Sequence, residues 1–246
     1  MFAQERQKQI LSLLERKRRL KVHDLQRHLK VSSATLRRDL SEMEKTDRIV
    51  RVHGGVMHPA FFAGEPSLEE KRRSSLREKR EIAIRVNMSI PDGSSILIDS
   101  GSTCLEAAKL LKDRSDLTLI TNSTPLLQSC RNRQARVISL GGEVRSISGA
   151  MVGSLTLKWL QQIRADFALI GASGLSVKGP STTELQECAV KQAMIESTGK
   201  AWLLVDHTKW NHPSVFNFAA LSDFDRIFCD KALPLPKTKE KKKKQP

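Results

Sequence analysis

Residues 31–55 read VSSATLRRDLSEMEKTDRIVRVHGG, a helix followed by a small β-hairpin. Leu36, Leu40 and Met43 recur at i, i+4 and i+7, so they share one helix face and mark it as the buried one. Ala34, Arg38 and Ser41 point the opposite way, with Thr35 and Arg37 on the flanks. Ser32 or Ser33 can cap the N-terminus. The outward face is short, polar and basic, as a helix in a DNA major groove requires. Arginine pairs in bidentate fashion with guanine, and threonine meets a thymine methyl or a phosphate. In an isolated helix, Arg37 and Arg38 would read equally well as solvated charges.

The preceding residues decide against that reading. Glu5 to Arg18 has a helical pattern with Ile10, Leu13 and Leu14 inward, and Val22, Leu25 and Leu29 mark a second helix. Lys30-Val31-Ser32 is a short connection into the third helix, so helices two and three form a helix-turn-helix. Arg48 to Val52 is β-rich and Gly54-Gly55 ends it, which reads as the wing of a winged helix. The expected DNA-binding residues are Ser33, Thr35, Arg37 and Arg38 on the helix, with Arg48, Arg51 and His53 on the wing.

Charge supports this division. The chain has 246 residues and a net charge of +15, of which +7 lies in residues 1–57 and +5 in residues 237–246. Residues 81–236 carry only +1, so a basic head and a basic tail flank a nearly neutral body. The expected domains are a winged helix at 1–57, a linker and connecting helix at 58–80, an effector body at 81–236 and a disordered basic tail at 237–246. HPAFFAGEPS (58–67) has the prolines of a linker, with Phe61-Phe62 as an anchor. Residues 68–88 read as one continuous helix, with Arg72, Arg73, Arg77, Lys79 and Arg80 on a solvated face.

From Ile90 onward, short apolar strands alternate with helices, which implies a parallel sheet covered on both faces. Such sheets bind ligands at the carboxyl ends of their strands. Polar and glycine residues collect there: Asp99-Ser100-Gly101-Ser102-Thr103, Asn122, Gly141-Gly142, and Asp206 with Lys209. Free N–H groups at a helix start, beside hydroxyls, make DSGST suited to a phosphate. A plain helix cap places the same residue types there, so the loop alone leaves both readings open. A Walker ending and a GxGxxG are both absent, which disfavours nucleotide cofactors. Glu187 and Lys191, spaced i, i+4, read as a surface salt bridge. A lysine, two aspartates and a hydroxyl loop around one cleft suit a phosphorylated sugar.

The other classes are disfavoured. There is neither a membrane-length apolar run nor a secretory leader, and the four cysteines fit no metal spacing, so they are expected as buried thiols in a reducing cytoplasm. No cofactor, metal or catalytic residue is expected.

The run from Arg6 to Val56, through RQKQIL, VSSATLRRDLSEME and RIVRVHGGV, resembles the N-terminal domain of DeoR-type bacterial transcription regulators. Thr46-Asp47 stands where that family usually has a glycine. ILIDSGSTCLEAAKLL, LTLITNS, SLGGEVR, ADFALIGASGL, ELQECAVKQAMI and LLVDHTKW are similar to the family's effector domain. That domain resembles sugar-phosphate isomerases such as ribose-5-phosphate isomerase. Gly149-Ala150-Met151 departs from the usual Gly-Pro. The resemblance implies an α/β chain in which a winged helix-turn-helix joins a Rossmann-like parallel-sheet domain. It implies a phosphate held by Asp99, Ser100, Gly101, Ser102 and Thr103, with Glu187, Lys191, Asp206 and Lys209 around the sugar. The expected function is a repressor of a carbohydrate-metabolism operon, acting on double-stranded operator DNA under a phosphorylated-sugar effector. A homo-oligomer, dimer or tetramer, is expected, and no membrane partner. The alternative is an isomerase that kept catalysis, with Glu187 or Asp99 as base. A basic winged helix has no use there.

Overall fold

The computed structural model describes residues 2–16, 19–46, 48–52, 55–57 and 65–234. Residues 58–64 of the expected linker, His53 and the tail at 237–246 lie outside the described residues. The chain divides into two units, Met1–Pro66 and Ser67–Pro246.

The first unit holds helices α1 (Ala3–Arg16), α2 (Val22–Leu29) and α3 (Ser33–Lys45), and strands β1 (Arg19–Lys21), β2 (Val50–Val52) and β3 (Gly55–Met57). Its core is Ile10, Leu14, Leu25, Leu29, Leu36, Leu40, Met43, Ile49 and Val56. Each such fully buried aliphatic side chain contributes about 1.5–3 kcal/mol. Val22 was expected inward but is 36% exposed, because the α2 core face is set by Leu25 and Leu29. Lys30 adopts the left-handed conformation (φ 51°) and turns the chain between α2 and α3. Ser32 caps α3, its Oγ accepting from Thr35 N at 3.2 Å. At the other end, the Thr46 hydroxyl donates to the carbonyls of Glu42 and Met43. Thr46 has φ −103°, so no glycine is needed there.

The wing sheet has three strands in the order β1-β3-β2 rather than a two-stranded hairpin. β1 escaped the sequence reading because three residues are too short to show a period. Gly55 lies opposite Lys21, where an added Cβ would fall 2.5 Å from the Leu20 carbonyl oxygen.

The second unit begins with α4 (Leu68–Arg73) and α5 (Leu76–Ser89). The expected single helix over 68–88 is therefore two. The chain breaks at Ser74-Ser75, where Ser75 has φ 50°. Six parallel strands follow in the order β14-β12-β9-β4-β5-β6: Arg226–Phe228, Thr198–Leu204, Ala165–Gly171, Ser95–Ile98, Thr118–Thr121 and Arg136–Ser139. Helices α6 (Ser102–Leu111), α7 (Thr124–Ser129), α8 (Ser154–Leu160) and α9 (Leu185–Glu196) join or follow them, as expected of a doubly covered sheet. Two separate cores result. One centres on Ile82, Val86, Ile96, Ile98, Leu105 and Phe228, the other on Leu97, Ile170, Val190, Met194 and Leu203.

Two small antiparallel additions were not anticipated: the β7–β8 pair (Glu143–Val144 with Met151–Val152), and a sheet of β10, β11 and β13 (Gly174–Ser176, Gly179–Thr182, Phe216–Asn217). All four cysteines are buried free thiols.

Candidate functional site

In the first unit, the outward face of α3 presents Ala34, Arg37, Arg38, Ser41, Glu42 and Lys45 around a shallow concavity. Ser33, Arg37 and Arg38 are exposed. The Thr35 hydroxyl lies 2.9 Å from Ser32 Oγ. Asp39, on the same helix, is buried and accepts a bidentate pair from Arg6 on α1, at 2.6 and 3.0 Å. That pair fixes how α3 stands on its supporting helix.

The wing arginines are engaged internally in the free protein. Arg51 pairs with Glu44 at 3.1 Å and donates to the Arg37 carbonyl, which ties the wing to α3. Arg48 is half-buried and donates to Gln7 Oε1 at 2.9 Å.

In the second unit, the chain runs outward from β4 to β5 and β6, then returns to β9 on the opposite side of β4. The strand order reverses between β4 and β9, which is where open α/β sheets form a ligand crevice. Asp99 follows β4 at this point and is 1% exposed. Its Oδ2 accepts from Gly171 N at 3.0 Å and from Lys191 Nζ at 2.5 Å. Lys191 also donates to the Gly171 carbonyl. The i, i+4 surface bridge between Glu187 and Lys191 is thus corrected. Both residues are buried, and each has its own partner, because this face of α9 turns inward to the sheet edge. Burial opposes the Lys191 charge, but Asp99 and Glu187 outweigh it and raise its pKa.

Glu187 accepts from Arg145, from Ser148 Oγ at 2.7 Å and from Thr182 Oγ1 at 3.4 Å. Arg145 and Ser148 lie in the loop between β7 and β8 and were not singled out from the sequence. The available signal was an arginine two residues beyond the Gly141-Gly142-Glu143 turn.

Ser100, Ser102 and Thr103 are buried around Gly101, which occupies the N-cap of α6 and supplies no side-chain cap. The glycine is there for space: its Cα faces Gly171, and an added Cβ would meet Gly171 Cα and Asp99 Oδ2, each at 3.4 Å. Asn122, after β5, donates to the Met151 carbonyl at 3.1 Å. Gly142 has φ 125°, and an added Cβ would lie 2.1 Å from Thr156 Oγ1. Thr156 in turn donates to the Gly141 carbonyl at 2.7 Å. Asp206, after β12, uses Oδ1 to accept from the Thr208 amide and hydroxyl. Lys209 follows in a short 3-10 turn, without an ion-pair partner among the described residues.

Several polar atoms here are buried without a partner: Asn122 Oδ1, Thr183 Oγ1 and Asp206 Oδ2. Buried polar groups are nearly always hydrogen-bonded, so unsatisfied acceptors beside an uncapped helix start fit a polyhydroxylated anion. Asp99, Asn122, Gly141 and Asp206 stand at one edge because parallel strands end on one side.

Residues 6–60 match the DeoR-like helix-turn-helix domain, and residues 74–231 match the DeoR C-terminal sensor domain. An HTH-type transcriptional regulator of Haemophilus influenzae is 33% identical, over 95% of this chain and 92% of its own. The glycerol-3-phosphate regulon repressor of Escherichia coli is 31% identical over 94% and 92%. Among solved structures, ribose 5-phosphate isomerase A of Methanocaldococcus jannaschii superposes with a TM-score of 0.41 and 15% identity, over 56% of this chain and 55% of that one. With a winged helix-turn-helix ahead of a six-stranded parallel-sheet sensor domain, the chain is a DNA-binding transcription regulator and belongs to the DeoR family.

Proposed function

We propose that the protein represses a carbohydrate-metabolism operon in the cytoplasm and is controlled by a phosphorylated sugar or polyol bound at the strand-end edge of its sensor domain. The observation that carries this reading is the uncapped start of α6 at Gly101, flanked by buried hydroxyls and by acceptors without partners. The phosphate sits on the N–H groups of Ser102 and Thr103, and Lys209 neutralises it. Asp206, Asn122 and the Asp99–Lys191 pair meet the hydroxyls. Glu187, held by Arg145, closes the β7–β8 side, beside Gly141 and Gly142. Ser33, Thr35, Arg37 and Arg38 face the operator, and the wing arginines Arg48 and Arg51 support that face.

The relatives are named as regulators, and Glu187 is tied up by Arg145, Ser148 and Thr182, so the isomerase reading has little to recommend it. The name of the Escherichia coli relative makes glycerol 3-phosphate a first probe. The test is operator release by phosphorylated ligands. Ser102→Ala and Lys209→Ala should abolish the response while effector-free operator binding stays intact. Equal action of the dephosphorylated compound would refute a phosphate at the α6 start.

A further inference from the structure

Arg51 is the middle residue of β2 and lies opposite Val56 on β3. Residues paired in this way leave a sheet on the same face. Val56 is fully buried, so that face is the one turned to the helices, and Arg51 leaves the wing toward α3. Its apolar stem carries the guanidinium along the helix. There Nε lies 3.1 Å from Glu44 Oε2, and Nη2 donates to the Arg37 carbonyl at 3.1 Å.

Arg37 and Glu44 are two turns apart on one flank of α3. Helix carbonyls point toward the C-terminus, whereas side chains lean toward the N-terminus, so the two groups converge on the turn between them. Together they hold the Nε–Nη2 edge of the guanidinium. Nη1 has no partner among the described residues. Both side chains stay partly open to water, with Arg51 38% and Glu44 45% exposed. An ion pair of that kind contributes little to stability. A carboxylate at the edge of a basic face also opposes the approach of DNA. Neither stability nor charge attraction accounts for Glu44 at this position.

We infer that Glu44 is a positioning residue for operator binding, holding the Arg51 guanidinium so that its free end forks onto a DNA backbone phosphate. It rests on the reading of α3 and the wing as the operator face. Arg51 stands outside the concavity lined by Ala34, Arg38 and Ser41, and so flanks the groove-facing residues. The sugar-phosphate backbone flanks the major groove in the same way. A guanidinium placed end-on to a phosphate makes two parallel charge-assisted hydrogen bonds. Fixing it beforehand reduces the side-chain freedom that binding would otherwise remove. The wing thus carries a cation oriented by the helix it serves.

The test is the affinity of the full-length protein for an operator fragment that the wild type selects from random DNA, measured over a range of salt concentrations. Charge alone makes Glu44→Ala bind more tightly, because an anion is removed; positioning gives the opposite sign. Glu44→Ala should weaken binding about tenfold, as much as Arg51→Ala does. The double variant should bind no more weakly than Arg51→Ala alone. Glu44→Gln keeps an acceptor oxygen at the same reach and should restore wild-type affinity. Arg51→Ala should lower the salt slope by about one. Arg51→Lys keeps the charge without the fork and should recover the slope but not the affinity. Unchanged or tighter binding by Glu44→Ala would overturn the positioning role, as would additive losses in the double variant. A loss on Arg51→Ala that depends on one particular base pair would overturn the phosphate assignment. If Arg38→Ala weakens binding and Arg51→Ala does not, the inference falls while α3 keeps its place at the operator. If neither weakens it, the reading of the whole face fails.

Discussion

Lys191 and Asp99 form a buried ion pair across two elements that the sequence separates by 92 residues, with Nζ 2.5 Å from Oδ2 and both side chains almost inaccessible. The pair joins α9 to the end of β4 and also fixes the Gly171 backbone, whose N–H and carbonyl bind its two members. It lies buried at the strand ends rather than on the surface.

Removing one partner of a buried pair strands the other, at a cost of about 3–5 kcal/mol. Lys191→Met should therefore lower urea stability by about that amount, and adding Asp99→Asn should restore part of the loss. The pH dependence has a definite sign. The folded pKa of Lys191 is raised, so the pair's contribution is fully present below the ordinary lysine value of about 10.4 and is lost as pH rises through the folded value. Urea midpoints that fall between neutrality and about pH 9 on account of this pair, judged against Lys191→Met, would contradict the assignment.

On the DNA side, Arg37→Ala and Arg38→Ala should each weaken operator binding by about 1–3 kcal/mol if they read bases. Arg48→Ala should act mainly on stability, since Arg48 is bonded to Gln7. Mobility shifts at one fixed salt concentration, read beside thermal melting, separate the two behaviours. Unchanged operator affinity in both α3 variants would remove α3 from the interface.

The Arg6–Asp39 pair supports a different expectation, because it positions α3 from behind. Asp39→Ala should lower operator affinity and melting temperature together while leaving the salt dependence of binding unchanged. Loss of a phosphate contact would instead reduce the salt slope by about one.

Assembly gives a fourth expectation. One winged helix offers little surface for specific affinity at cellular salt, so the repressor should act as at least a dimer. Operators should carry repeated half-sites about one helical turn, or a multiple of it, apart. Sedimentation as a monomer, with a single half-site sufficient for binding, would refute this.

Local pattern carried the reading wherever one element contains its own signal. The i, i+4, i+7 spacing of Leu36, Leu40 and Met43 identified the buried face of α3, and with it the outward position of Arg37 and Arg38. Alternating apolar strands and helices announced the parallel sheet, and the polar residues at its strand ends marked the edge where the effector site is proposed. Those are properties of periods and of runs of a few residues, which the chain displays in order.

What the chain does not display in order is which charge meets which. Glu187 and Lys191 are neighbours on one helix turn, but folding gives them to Arg145 and Asp99, because burial makes a close, desolvated partner worth more than an exposed neighbour four residues away. Lys79 sits in a basic run, and only the bend at Ser75 brings the end of α4 back over its ammonium. Helix spacing tells which residues share a face. Whether that face meets water or a carbonyl depends on where the next helix packs, and that was decided by the tertiary structure alone.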